Sequence, residues 1–349
     1  MKKILLILVG GTICCEQTKS GALNVGENAD LFLINGFKNS DSAYVKDTQF
    51  TVSENLYILS ENLTVNGLNR ILNTYKNAVK RDSFDGVIFA HGTDTLAFCA
   101  AIFAQVLRGS KIPVFFVSAQ KPLSNPDSNG HENFRCAVEC IARGITQNVW
   151  VTYKNISDGK MYLHSAFKLK QCENYSDDFF SHGMIDVTRF SEADFKECFE
   201  NLNELAPKEK VPFLEKFKSF QFSKRVLLIE AYVGIDYSAY NLSNFAAVLH
   251  TTYHSGTACA TASNAEDSLL YLLSSCEDSG VDVYLSPAKD VQNSYQSIVD
   301  IAKNKTVNFL YGLTKETAYA KLLVAYSLFD DKAKIQQFIT EINDSERVD

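Results

Sequence analysis

A threonine hydroxyl beside a carboxylate is a unit that can do chemistry, and the sequence holds one at Thr93-Asp94-Thr95, directly after His91-Gly92. A second hydroxyl of this kind, Thr12, follows Gly10-Gly11 near the N-terminus. A free threonine hydroxyl is a poor nucleophile, so it needs a separately supplied proton acceptor. Gly92 lets the backbone approach a bound molecule, and the amides at the start of a following helix add partial positive charge. The competing reading is an N-cap, since Thr and Asp both cap helices well. A cap uses one such residue. Here His91, Thr93, Asp94 and Thr95 crowd together, which favours a site.

The surrounding chain supplies the elements that would position these groups. Residues 85–89 read as a buried strand and 96–108 as an Ala-rich helix, so the polar cluster sits where a strand ends and a helix begins. In an open α/β sheet that is where ligands bind. Residues 4–9 are an apolar run suited to burial in a parallel sheet, and Gly10-Gly11-Thr12 ends it. Residues 16–28 read as a loop long enough to cover a site. Residues 57–62 read as a strand running into the polar tip Ser60-Glu61-Asn62. Residues 66–80 have helical spacing, 112–117 read as a strand ending in Ser118-Ala119, 131–143 as a helix and 149–153 as a strand. Alternating strands and helices predict a mainly parallel, helix-covered sheet.

Around residues 201–222 the composition changes, with Pro207 and Pro212 flanking Lys208-Glu209-Lys210, which suits a linker. Strands resume at 226–232, 246–252 and 281–285. Helices fit 265–276, opened by a capping box of Ser263 with Glu266, and 315–329. The expectation is an α/β protein with a larger N-terminal, mainly parallel domain (1–200), a linker (201–222) and a smaller C-terminal α/β domain (223–349).

Bulk properties exclude several classes. The chain has 349 residues, 46% hydrophobic and 21% charged, which places it among globular proteins. A net charge of -7 with no basic stripe argues against a nucleic-acid partner. No run reaches the length of a membrane span. Met1-Lys2-Lys3 and the short apolar run after it imitate a signal peptide but lack a cleavage pattern, so the run reads as the first strand. Nine cysteines, an odd number without regular spacing, suit reduced thiols in the cytoplasm. No zinc spacing, Walker loop or Gly-x-Ser-x-Gly elbow is present, so neither metal nor organic cofactor is expected.

Gly10-Gly11-Thr12-Ile13 together with His91-Gly92-Thr93-Asp94-Thr95, each after a strand, resembles the paired signatures of the bacterial-type L-asparaginase family, closer to the cytoplasmic type I. The resemblance implies a two-domain α/β hydrolase that converts L-asparagine to L-aspartate and ammonia, as a homodimer or homotetramer with sites near the contact between subunits. It makes Thr12 the acylated nucleophile, and Thr93 and Asp94 the second catalytic threonine and its carboxylate partner. Ser60, followed by Glu61, matches the segment that holds the substrate carboxylate, while Asp94 can take the α-ammonium. Gly11 and Gly92 bring backbone to the substrate, and amides near Thr93 or Ala119 suit the oxyanion. The family's lysine stands a fixed interval before a phenylalanine. Counting back from Phe179 reaches Lys170, with Lys168 on the same face if the segment is extended. A coupled Thr93-Lys170-Asp94 unit is expected rather than one isolated base.

The sequence also departs from the family. Gly21-Ala22-Leu23 offers no tyrosine where the family's lid has one. Ser128-Asn129-Gly130 replaces Ser-Asp-Gly, and Thr257, in Tyr253-His254-Ser255-Gly256-Thr257, replaces an asparagine. Other readings are a glutaminase-asparaginase, an amidase component that feeds ammonia to a partner, and a non-catalytic amino-acid binder.

Overall fold

The computed structural model describes residues 1–349 apart from 18–21, 27, 206–208, 210, 224, 290–294 and 349. It divides into two compact units, Met1–Ser219 and Phe220–Asp349. The fold is α/β in both, with a large parallel-dominated sheet in the first and a smaller parallel sheet in the second.

In the first unit, strand β1 (Lys2–Leu8) is followed by a short ribbon, β2 (Cys15–Gln17) paired antiparallel with β3 (Leu23–Val25), so part of the stretch read as loop 16–28 is strand. Residue Gly21 of the tyrosine-less lid lies outside the described residues. The unit continues with α1 (Ala29–Lys38), β4 (Thr48–Val52), α2 (Val65–Arg81), β5 (Gly86–Ala90), α3 (Leu96–Val106), β6 (Val114–Val117), α4 (Gly130–Ala142), β7 (Val149–Lys154), β8 (Met161–Ser165), β9 (Ile185–Asp186), α5 (Glu192–Leu205) and the single turn α6 (Phe213–Lys216). Among the described residues seven strands form the main sheet, in the order β4-β1-β5-β6-β7-β8-β9. The first five run parallel, and β8 and β9 close the edge antiparallel.

The central strands form because both of their faces can be buried. Leu6, Leu8, Ile88, Ala90, Phe115 and Val117 pack in one core with Leu33 of α1 and Phe134 and Ala137 of α4. The alternate residues face the other way, where Phe89 stacks on Phe116 at 4.8 Å between ring centroids and meets Phe103 of α3 at 5.3 Å. Helix α2 joins this face through its buried stripe Leu68, Ile71, Leu72 and Tyr75, spaced at three and four residues.

The chain leaves β1, lays β4 on one side of it, and returns to place β5 on the other. That reversal is the switch point at which open α/β sheets bind ligands, beyond the carboxyl ends of the strands. Gly10-Gly11-Thr12 and His91-Gly92-Thr93-Asp94 stand there.

Three further sequence readings need correction. Residues 57–62 are not a strand. Of this segment Ile58 N–H reaches Val9 O at 2.9 Å, Tyr57 has φ 52°, and Ser60–Asn62 is a 3-10 turn. The strand is the earlier β4, an edge strand whose Thr-Gln-Phe-Thr-Val pattern carries little apolar signal. The capping box Ser263–Glu266 does not start a helix. Ser268 instead caps α7 (Leu269–Ser279), its hydroxyl accepting from Leu270 N–H. The segment 163–170 leaves β8 at Ser165 and turns, with Lys168 N–H on Ser165 O.

In the second unit, β10 (Val226–Ile229), β11 (Ala247–His250), β12 (Asp282–Ala288) and β13 (Val307–Tyr311) run parallel in that order. They are covered by α7, α8 (Gln296–Ala302), α9 (Lys315–Leu328) and α10 (Lys332–Thr340). Of the stretch 201–222, Phe213 N–H bonds Arg108 O at 3.0 Å, while Pro207, Lys208 and Lys210 lie outside the described residues.

Fully buried Asn133 of α4 holds the end of β6 to that of β7. Its Nδ2 donates to Ser118 O at 2.9 Å and its Oδ1 accepts from Lys154 N–H at 2.7 Å. Asn133→Ala strands both groups, and at 1–3 kcal/mol each the expected loss is about 3 kcal/mol in urea unfolding. A loss below about 1 kcal/mol would show that these bonds do not hold the corner.

Candidate active site

The site starts from a backbone contact. Val9 and Gly10 N–H both donate to Ala90 O, at 2.9 and 3.3 Å, so the chain stays beside β5 after β1 has ended. Gly11 has φ 74°, and a Cβ there would lie 2.1 Å from the Gly92 Cα. A Cβ on Gly92 would lie 2.9 Å from the Gly11 Cα and 2.3 Å from the Ser60 Oγ. Three chain segments thus meet where no side chain fits. Thr12 leaves this point in a 3-10 turn closed by Cys14 N–H on Gly11 O at 2.8 Å, with Ile13 and Cys14 buried beneath it.

The Thr93 loop is held from below, from one side and from the other. Below it, buried His91 donates its main-chain N–H to Val117 O at 2.9 Å. Its Nδ1 lies 2.7 Å from Gly92 O, which can only accept, so the ring proton is on Nδ1. Nε2 is then an acceptor, buried and without a partner among the described residues. Burial outweighs the Gly92 bond and the charge of Asp94, and lowers this imidazole to about 4. On one side, Ser60 Oγ donates to Asp94 Oδ2 at 3.0 Å and Thr95 Oγ1 donates to Ser60 O at 3.1 Å. On the other, Gln171 Nε2 donates to Thr93 O at 2.9 Å while its Oε1 accepts from Ala97 N–H at 3.2 Å.

Gly11, Gly92, Ser60, Thr93 and Asp94 therefore share one corner, and Thr12 starts from it. Asp94 is exposed at its mouth, next to the first amides of α3, whose partial positive charge suits a carboxylate. Glu61 follows Ser60, is exposed, and lies near enough to Cys15 for its charge to add to burial in raising that thiol. Ala119, just past β6, is fully buried with its methyl in the core. Lys170 is exposed and anchored through its backbone, its N–H on Phe180 O at 3.0 Å beside the Leu169–Ser181 bridge. Its ammonium makes no hydrogen bond among the described residues. Lys168 and Lys170 straddle Leu169, and both charges bear on His182, adding to the burial that lowers its imidazole. Sequence reasoning missed Gln171 altogether, since a lone glutamine in a polar stretch carries no periodic or motif signal. Among the described residues no three His, Cys, Asp or Glu side chains group as a metal site, and no helix is long and apolar enough to cross a membrane.

Residues 3–196 match the family described as Asparaginase, N-terminal. A glutamyl-tRNA(Gln) amidotransferase subunit from Methanococcus maripaludis is 25% identical over 238 residues, 68% of this chain and 55% of the relative. An L-asparaginase from Thermococcus kodakarensis is 25% identical over 142 residues, 41% of each chain. The chain thus spans about half the length of the curated relatives it matches. In structure it resembles the thermostable L-asparaginase of Thermococcus kodakarensis (TM-score 0.73, 18% identity) and L-asparaginase I of Vibrio cholerae (TM-score 0.71, 19% identity), each covering 99% of both chains.

The buried imidazole at the floor makes a testable prediction. With its value lowered to about 4, against 6.5 for a free histidine, His91 is neutral in the folded protein while the unfolded chain takes up a proton. Its contribution to stability is therefore present above about pH 6.5 and lost as the pH falls toward about 4. An NMR titration of the His91 ring should show the Nδ1–H tautomer and no protonation above about pH 5. Protonation near pH 6.5 would overturn this account of the floor.

Proposed function

Because the chain belongs to the asparaginase family by the match over residues 3–196, we propose that it hydrolyses the side-chain amide of L-asparagine to L-aspartate and ammonia. In this reading Thr12 Oγ attacks the amide carbon and loses its proton. The C–N bond then breaks, and the nitrogen leaves as ammonia after taking up a proton. Water hydrolyses the resulting ester and releases L-aspartate. Thr93 and Asp94 form the second catalytic pair, with Lys170 or Lys168 as proton acceptor. Ser60 and Glu61 hold the amino-acid end of the substrate, and backbone at Gly11, Gly92 and Ala119 approaches the reacting amide.

The observation that carries this reading is the contact of Gly11 with Gly92, which starts Thr12 and Thr93 from one point beside the Ser60–Asp94 hydrogen bond. We further propose a cytoplasmic homodimer or homotetramer that needs neither metal nor nucleic acid. A second reading, release of ammonia to a partner in an amidotransferase, is favoured by the similarity to the Methanococcus maripaludis amidotransferase chain.

Purified protein alone should release ammonia from L-asparagine faster than from L-glutamine, and Thr12→Ala should lower turnover by about 10³-fold or more. Turnover by Thr12→Ala at the wild-type rate would remove Thr12 as nucleophile. Tight asparagine binding without product would instead support a binder, and turnover that needs an added partner would support the amidotransferase reading. Lys170→Met and Lys168→Met, compared side by side, should identify the proton acceptor as the one whose loss costs at least about 10²-fold in kcat.

A further inference from the structure

We propose that Gln171 is a positioning residue for the hydrolysis, a strut that sets the lysine-bearing ribbon against the Thr93 loop. The inference rests on the asparaginase reading above. It starts from an unusual helix start. Thr95 is the N-cap of α3, yet its side chain makes no capping bond. Its hydroxyl donates away from the helix, to Ser60 O. The amide of Ala97 therefore needs an acceptor from elsewhere, and the Gln171 carbonyl oxygen takes it at 3.2 Å. The other end of the same planar amide donates to Thr93 O at 2.9 Å. One rigid group thus spans the turn that carries Thr93 and Asp94.

Two bonds from one planar group fix direction as well as distance. The backbone behind Gln171 is fixed too. Lys170 N–H bonds Phe180 O at 3.0 Å, Leu169 bridges Ser181, and Lys168 O accepts from His182 N–H at 3.2 Å. The ribbon holding both candidate lysines is therefore tied to the threonine loop by the Gln171 side chain. Gln171 acts only through these neighbours. Misplacing reacting groups by about 1 Å can cost about 10²-fold in rate, so the strut matters more to turnover than to folding.

Two variants test this on the full chain with L-asparagine. Gln171→Met keeps the size and removes both hydrogen bonds. It should lower kcat by about 10- to 100-fold while KM stays within about threefold. Gln171→Glu adds a reading that a merely structural role would not move. The protonated acid reproduces the donor and acceptor of the amide, whereas the carboxylate cannot donate to Thr93 O. Relative to wild type at each pH, its kcat should recover as the pH is lowered from about 6 toward about 4, through the range in which a carboxyl takes up its proton. If wild type is active and Gln171→Met keeps its kcat, or Gln171→Glu follows the wild-type pH profile, the strut is wrong and the hydrolase reading stands. If wild type releases no ammonia from asparagine, the hydrolase reading falls and this inference with it.

Discussion

Backbone against backbone, Gly11 against Gly92, is the contact on which the corner depends. Neighbouring parallel strands lie about 4.8 Å apart. Here β1 and β5 end side by side and their loops stay together, because Ala90 O captures the amides of both Val9 and Gly10. A methyl group on either glycine would sit inside the other strand's backbone or on the Ser60 hydroxyl. The glycines preceding each threonine are therefore a steric demand of the sheet itself, and the placement of the hydroxyls follows from them.

Around that contact the polar groups are sorted by exposure. The floor is buried and aromatic, with His91 edge-on to Phe116 at 5.8 Å and its Nε2 unpartnered among the described residues. Leaving an acceptor unpaired in such a place costs stability. The ring nonetheless closes on Gly92 O and so keeps that peptide oriented. At the mouth, Asp94 remains in reach of solvent, takes the Ser60 hydroxyl, and stands beside the first amides of α3. The side chain thus stands where a cation could meet it.

The central strands and helices were legible in the sequence because burial on both faces writes them as unbroken apolar runs, as in Val87-Ile88-Phe89 and Val114-Phe115-Phe116. Strand β4 was not, because an edge strand half in water alternates weakly and the stronger apolar signal of Leu56-Tyr57-Ile58-Leu59 lay just after it. That segment bonds along the chain of β1 and beyond it, Leu56 N–H to Leu8 O and Ile58 N–H to Val9 O, but left-handed Tyr57 interrupts it, so its pattern imitates a strand. The corner itself was legible through its two glycine-threonine motifs, whose spacing follows strand ends. Its braces were not. Thr95 turning from cap to cross-link, and Gln171 reaching in from a distant ribbon, depend on tertiary neighbours that no local period encodes.

The same corner bears on how far family membership fixes activity. Breaking a side-chain amide bond is the opening step whether the freed ammonia escapes to water or passes to another reaction. The groups required for that step, a hydroxyl, a carboxylate and a proton acceptor, are the same in both cases. What separates the outcomes is where the freed ammonia can go, which the groups of the corner do not by themselves decide. Of the segments beyond the sheet, the one that holds Gln171 reaches the corner, through Thr93 O and Ala97 N–H. An intact corner is thus compatible with divergence of substrate, because the sheet imposes the first and loops at its edge determine the second.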